Sequence, residues 1–327
     1  SVPIYPRPPV IIIFFFIINL LFTYYKLCYN SIVMKLIDCF MYYDEDMMLD
    51  IRLNILDKFV SNFIICEANF HHNGTKRELK FDIRKFSKFK DKIIYIPLTE
   101  QPKQIKEIKD TDSQLVKNSK ILDNALLREN FQRNHLQSKI KNFHENDLII
   151  ISDLDEIPNL EKFTYKAKIT FFIQKMYYYK LNLIHKNFNW YGSKIVKKKD
   201  LINPQWLRNI KSKKYPLWRL DIMFSKKKYN NINFIENGGW HFTNIKTPEK
   251  IDYKMRNFLH HLEYEESGIG LDDVKNIIAE KKVFYDHSAD KKEKKWSAKI
   301  SLFKDLDASL PEYIFKNKDK YKEWLDI

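Results

Sequence analysis

The chain has 327 residues, 44% of them hydrophobic and 15% aromatic, with only six glycines and a formal net charge of +15. That length and apolar content suffice for one large domain with a real core, and so few glycines exclude fibrous, linker-rich and glycine-loop architectures. The excess charge is spread as lysine along the whole chain, and its tightest runs, Lys197 to Lys199 and Lys226 to Lys228, sit in no nucleic-acid module, so no nucleic-acid partner is expected.

Residues 1–33 form a hydrophobic N-terminal segment in which Val10 to Tyr25 are almost wholly apolar. That run is slightly shorter than the roughly 20 residues a membrane span requires. Two readings stand: a single-pass signal-anchor in residues 10–25, giving membrane association, or sequence upstream of a folded part that starts near Met34. Localisation is accordingly cytoplasmic or membrane-associated. Cys28, Cys39 and Cys66 form no CxxC pair and no even-numbered set, so neither a disulfide framework nor a zinc site is expected.

From Met34 the pattern is that of alternating strands and helices. Residues 35–42 (KLIDCFMY) predict a buried first strand, and Leu49, Leu53, Leu56 and Val60 recur at helical spacing over 45–60. Strands follow at 62–68 and 92–98. A lysine-rich loop spans 99–120, a helix 121–144, and a fourth strand 147–151. This order predicts an α/β fold with a mostly parallel central sheet flanked by helices. Beyond residue 160 strands are expected near 169–181 and 232–243, with irregular basic loops between them. Thr247 and Pro248 open a helix that turns Ile251, Met255, Phe258 and Leu262 inward. Residues 34–265 are read as the catalytic domain and 266–327 as a lysine-rich helical extension.

The fourth strand runs directly into Ser152-Asp153-Leu154-Asp155-Glu156-Ile157-Pro158. Asp-x-Asp alone is a weak signal, and this chain also carries Asp44/Asp46, Asp110/Asp112 and Asp305/Asp307. Only Asp153 and Asp155 follow a full apolar strand, where carboxylates reach the crevice in which open α/β sheets bind ligands. Their oxygen ligands suit Mg²⁺ or Mn²⁺, and a divalent cation stabilises a leaving nucleoside diphosphate.

Six segments in order, LIDCFMYYDEDMMLDIRLNIL, FIICEANFHHNGTKRELKF, RENFQRNHL, ISDLDEIP, GGWHFT and KMRNFLHHLEY, cover roughly residues 35 to 264 and resemble glycosyltransferase family 17. The resemblance implies a GT-A-like nucleotide-sugar-binding fold and transfer, with inversion, of N-acetylglucosamine from UDP-N-acetylglucosamine to a β-mannosyl residue of an N-linked glycan acceptor. It also implies a divalent metal. One departure is visible in KMRNFLHHLEY, where the His-x-Glu spacing is off by one and leaves His260 and His261 unseparated.

Metal ligation is expected from Asp153, Asp155 and His241. The last follows a Gly-Gly pair that permits close backbone approach; a hydrogen-bonded core histidine is its rival reading. Substrate contacts are expected from Glu67, Arg128, Arg133, Trp240 and His260. For Arg133 and Arg128 the competing role is an ion pair with Glu129 or another acid, and for Trp240 a place in the core. An inverting transfer needs one carboxylate base, and Glu236, Glu156 and Asp221 are the candidates. A phosphatase using Asp-x-Asp would want Thr or Val two residues after the second Asp, where Ile157 stands. The alternative function is a degenerate transferase that binds a glycan or nucleotide.

Overall fold

The computed structural model describes residues 34–216, 218–222, 224–286, 296, 300–305 and 309–326. The apolar run 10–25, Cys28 and Asp307 lie outside them. No helix among the described residues is long and apolar enough to cross a membrane.

Strand β1 (Leu36–Tyr42) divides its side chains between two cores. Phe40 packs with Leu49, Leu53 and Leu56 of helix α1 (Asp46–Leu56), while Ile37 and Cys39 face the other side. Strand β2 (Asn62–Ala68) repeats this, with Phe63 and Ile65 on one face and Ile64 and Cys66 on the other. Burial on both faces makes these strands continuous apolar runs. Strand β3 (Ile93–Leu98) lies parallel beyond β2. Helix α2 (Gln114–His135) begins seven residues before the expected start, so the loop ahead of it is shorter. Its first turn carries Leu115, 84% exposed, and Val116, so no apolar stripe marks it.

Strand β4 (Leu148–Ile151) pairs parallel with β1, Leu36 opposite Leu148 and Cys39 opposite Ile151. After β5 (Glu156–Pro158), the expected strand at 169–181 is two: β6 (Ile169–Phe172) and β7 (Gln174–Tyr178). Two strands then occupy the segment expected to be irregular, β8 (Leu183–Trp190) and β9 (Lys194–Lys197). Helix α3 (Pro204–Asn209) is capped by Asn203, and the 232–243 segment also splits, into β10 (Ile232–Ile235) and β11 (Gly239–Thr243).

Seven strands form one sheet in the order β10-β6-β9-β4-β1-β2-β3, parallel throughout except β9. A second, five-stranded sheet places a short edge strand at Phe303–Lys304, then β8, β7, β11 and β5. The chain crosses between sheets at two adjacent corners, where Ile173 N–H bonds Ile235 O at 3.0 Å and Gly238 N–H bonds Ile173 O at 2.7 Å. Gly238 is required there, since a Cβ would lie 2.6 Å from Ile235 O. The close approach permitted by the glycine pair is thus backbone against backbone. This mostly parallel sheet flanked by helices is the expected α/β architecture and is GT-A-like.

Helix α4 (Pro248–Asn257) starts as expected, with the Thr247 side chain accepting from Lys250 N–H, and buries Ile251 and Met255. It ends before Phe258, which is only partly buried, as is Leu262. Helices α5 (His261–Ser267) and α6 (Leu271–Ala279) follow. The chain then returns as strand and as the short helix α7 (Glu312–Lys316), whose Ile314 joins Tyr321 in the core beneath α1.

Candidate active site

Between β4 and β5 the chain turns through Ser152 to Asp155, and this turn is built around Arg52 of α1, which is fully buried. Its Nε and Nη2 hold Asp38 of β1 at 2.8 and 2.6 Å. Nη2 also donates to Ser152 Oγ. Nη1 donates to the carbonyls of Asp153, Leu154 and Glu156 at 3.1, 3.1 and 2.8 Å. One planar guanidinium therefore satisfies the backbone of a turn that the strand ladders leave unpaired. Sequence reasoning missed this pair, although Asp38 is the one acid inside LIDCFMY, and a charge in a buried strand requires a partner.

Arg133 of α2 and Arg208 of α3 close on the two oxygens of Asp153, at 3.0 and 2.8 Å. Arg133 also holds Glu129 at 2.7 Å, so its competing ion pair is present as well. Arg208 continues to both oxygens of Glu156, at 2.7 and 2.8 Å. Glu156 accepts in addition from the Asp153 N–H and the Trp190 indole. Gly192 makes room for it, since a Cβ there would fall 2.1 Å from the Glu156 carboxyl carbon. Burial acts to raise the Asp153 pKa, but Arg208 and Arg133 outweigh it and hold the carboxyl well below the usual range.

Pairing of β5 with β11 sets His241 opposite Glu156, and the Phe242 N–H bonds the Asp155 carbonyl at 2.8 Å. His241 Nε2 lies 3.6 Å from Asp155 Oδ1, too far for a hydrogen bond. The imidazole stacks on Trp190 with centroids 4.8 Å apart, and its buried Nδ1 has no hydrogen-bond partner among the described residues. No group of three or more His, Cys, Asp or Glu among the described residues is disposed to hold a metal alone. One carboxylate and one imidazole still fit Mg²⁺ or Mn²⁺, which take few protein ligands and complete their shell with substrate phosphates.

These groups line a cleft of about 370 Å³ at the C-terminal ends of β1, β2 and β4. Its far wall adds Tyr43, His71, His72 and Arg77. Tyr43 hydroxyl and His71 Nδ1 are 2.9 Å apart, and the Arg77 guanidinium lies 4.3 Å over the Tyr43 ring. Burial first, then the charges of Arg77 and His72, push the His71 pKa down to about 4, so the ring is neutral near pH 7.

Of the residues singled out from sequence, Asp153, Asp155, Glu156, Arg133, His241 and His260 come together in this cleft. His260 is separated from His261, whose Nδ1 is engaged with Phe258 O at 2.8 Å. Glu67 does not line it: fully buried, it accepts from Arg77, Tyr95 and the N–H groups of Lys80 and Phe81, and so ties the 77–81 segment to β2. Arg128 lies beneath the neighbouring loop, donating to Gln101 and to His72 O, with Gly74 packed on its guanidinium. Trp240 faces away from His241, as strand alternation demands, and its indole bonds Ser309 O. Glu236 sits exposed in the turn before β11 and does not line the cleft. Asp221 is exposed and held by Arg219 and Lys228, whose hydrogen bonds lower its pKa to about 2.

Arg208 and Arg77 went unnoticed in the sequence. Only nine of the 57 basic residues are arginine, and that scarcity is the signal that could have found them. Comparison with curated proteins gives no match. A family model, that of glycosyltransferase family 17, matches residues 24–326 and so takes in every element that builds the cleft. On that match over nearly its whole length, the chain belongs to glycosyltransferase family 17.

Proposed function

We propose that this transferase moves N-acetylglucosamine from UDP-N-acetylglucosamine to a glycan hydroxyl with inversion at the anomeric carbon, assisted by Mn²⁺ or Mg²⁺. The observation that carries the reading is the pair of guanidiniums, Arg133 and Arg208, closed on Asp153 in a cleft at the strand ends. A diphosphate offers these arginines the same bidentate acceptor geometry as the carboxylates they now hold. In this reading they share their donors between Asp153 and the diphosphate as it accumulates charge on leaving. Asp155 and His241 would hold the cation, with Trp190 fixing the imidazole plane. A divalent ion supplies Lewis-acid stabilisation of the departing phosphate oxygens. Arg52 keeps the Asp153, Leu154 and Glu156 carbonyls, and with them the turn that carries Asp155, from relaxing as the ligand binds.

Among the three carboxylates considered for the base, Glu156 alone lines the cleft, and both its oxygens are already bonded to Arg208. With both oxygens engaged, neither is free to take an acceptor proton, and Glu156 fits better as the brace that positions Arg208 and the Asp153 N–H.

The test is thermal stabilisation of the protein by a panel of nucleoside diphosphates with and without Mn²⁺. UDP is expected to raise the melting temperature only with Mn²⁺, and Asp155→Ala to remove the metal-dependent part. A shift by a different diphosphate replaces the donor, and no shift from any of them overturns the reading.

A further inference from the structure

The cleft has two chemically different halves, and the charged one accounts for a diphosphate only. In the other half the rings of Phe258, His260, Tyr285 and Trp296 follow one another at centroid spacings of 5.7, 5.6 and 4.9 Å and line the same cavity. Beside this wall stand two buried side chains, Tyr178 and Asn244, whose Oη and Oδ1 have no hydrogen-bond partner among the described residues. Buried polar atoms are rarely left so unless a ligand or water completes them.

The backbone around these two groups is held in costly conformations. Strand β7 ends at Tyr178 and the parallel strand β11 at Thr243. The residues that follow, Tyr179 and Asn244, lie in the left-handed region with φ of 61° and 54°. A tyrosine there is a true outlier, and such strain persists where the fold over-determines a functional geometry. The two strand ends are joined across the sheet, since the Tyr179 N–H bonds the carbonyl of Thr243, the residue before Asn244, at 3.3 Å.

We infer that this half of the cleft is a subsite for a pyranose ring. An aromatic wall suits the apolar C–H face of a hexose, and Tyr178 Oη and Asn244 Oδ1 suit its hydroxyl groups, donor and acceptor respectively being free to pair. The inference rests on the transferase reading above for its chemistry. The ring has two possible sources, the acceptor glycan and the sugar of the donor.

The experiment is saturation-transfer NMR on the full 327-residue chain. Its probes are the methyl pyranosides of glucose, galactose and mannose and free N-acetylglucosamine. At least one probe is expected to receive saturation at its ring C–H protons. Phe258→Ala, Tyr178→Phe and Asn244→Gly should each weaken that binding by about five-fold, the scale of one hydrogen bond or ring contact. Asn244→Gly tolerates the left-handed backbone, so it separates a lost bond from a lost fold. No transfer to any probe, or transfer unchanged in all three variants, overturns the subsite. The UDP thermal shift, measured in parallel, judges the nucleotide reading on its own. Displacement of the probe by UDP-N-acetylglucosamine but not by UDP assigns the subsite to the donor sugar; simultaneous binding assigns it to the acceptor.

Discussion

All three nitrogens of the Arg52 guanidinium are hydrogen-bonded, and they join three elements: Asp38 of β1, its own helix α1, and the turn that carries Asp153 and Asp155. The fully buried pair with Asp38 has no water to fall back on. Removing one member of such a pair leaves a buried charge uncompensated, at a cost of about 3–5 kcal/mol. Arg52→Met is therefore expected to lower unfolding stability by that order in urea titrations and to abolish the UDP-dependent thermal shift. A loss no larger than the ~1 kcal/mol typical of exposed pairs would show that the turn holds its shape without the arginine. Such a residue is hard to find from pattern alone, because its chemistry is spread over three carbonyls that carry no sequence identity.

At the scale of elements, β9 and α3 are coupled by one lysine. Lys194 is buried, its ammonium bonded to the carbonyls of Arg208 and Ile210 at the end of α3 and lying 4.9 Å over the Phe171 ring. Burial first, and then repulsion from Arg208, pushes its pKa down to about 7 from an ordinary value of 10.5. Between those two values the unfolded chain holds the proton and the folded one does not, so stability rises with pH across that window. Melting curves from pH 6 to 10 should show the native protein gaining on Lys194→Met as pH rises above about 7, and parallel curves would dismiss the shift. The same strand shows where the sequence was opaque. Strands β1, β2 and β4 are apolar runs buried on both faces, and their expected limits fall within a residue of those observed. Strand β9, KIVK, begins and ends in lysine, and β8 mixes His185, Lys186 and Asn189 with its apolar positions, so both resemble basic loop. Their strand character comes from pairing with β4, β6 and β7, which local pattern does not contain. For the candidate site, the placement of Asp153, Asp155 and His241 in the cleft was legible because two sit where a buried strand ends and one beside a glycine corner. Glu236 looked close to His241 in sequence, but it stands exposed in the turn between β10 and β11, outside the cleft lining.

For the whole molecule, the last described residues are part of the central core. Ile314 and Tyr321 lie beneath α1, and the Tyr321 hydroxyl and Lys320 ammonium both bond Asp50 of that helix. Trp324 O accepts from Leu181 N–H at 2.7 Å, and Asp326 N–H donates to Asn182 Oδ1 at 2.7 Å, which ties this segment to the β7–β8 connection. Truncation after residue 310 is expected to strip the cover from α1, exposing its apolar face. The cost should be several times the roughly 2–5 kcal/mol of one large core side chain, and circular dichroism melts would read it. A fragment 1–310 that melts like the full chain would overturn this packing role. The arrangement also has a temporal side. A ribosome delivers Arg52 and Asp153 long before it delivers Tyr321, so α1, the helix that grips the turn of Asp153 and Asp155, waits uncovered until residues 312–324 have left the exit tunnel. A protease cutting ahead of residue 312 would strip the cover from α1 and so loosen that turn without touching any group in it.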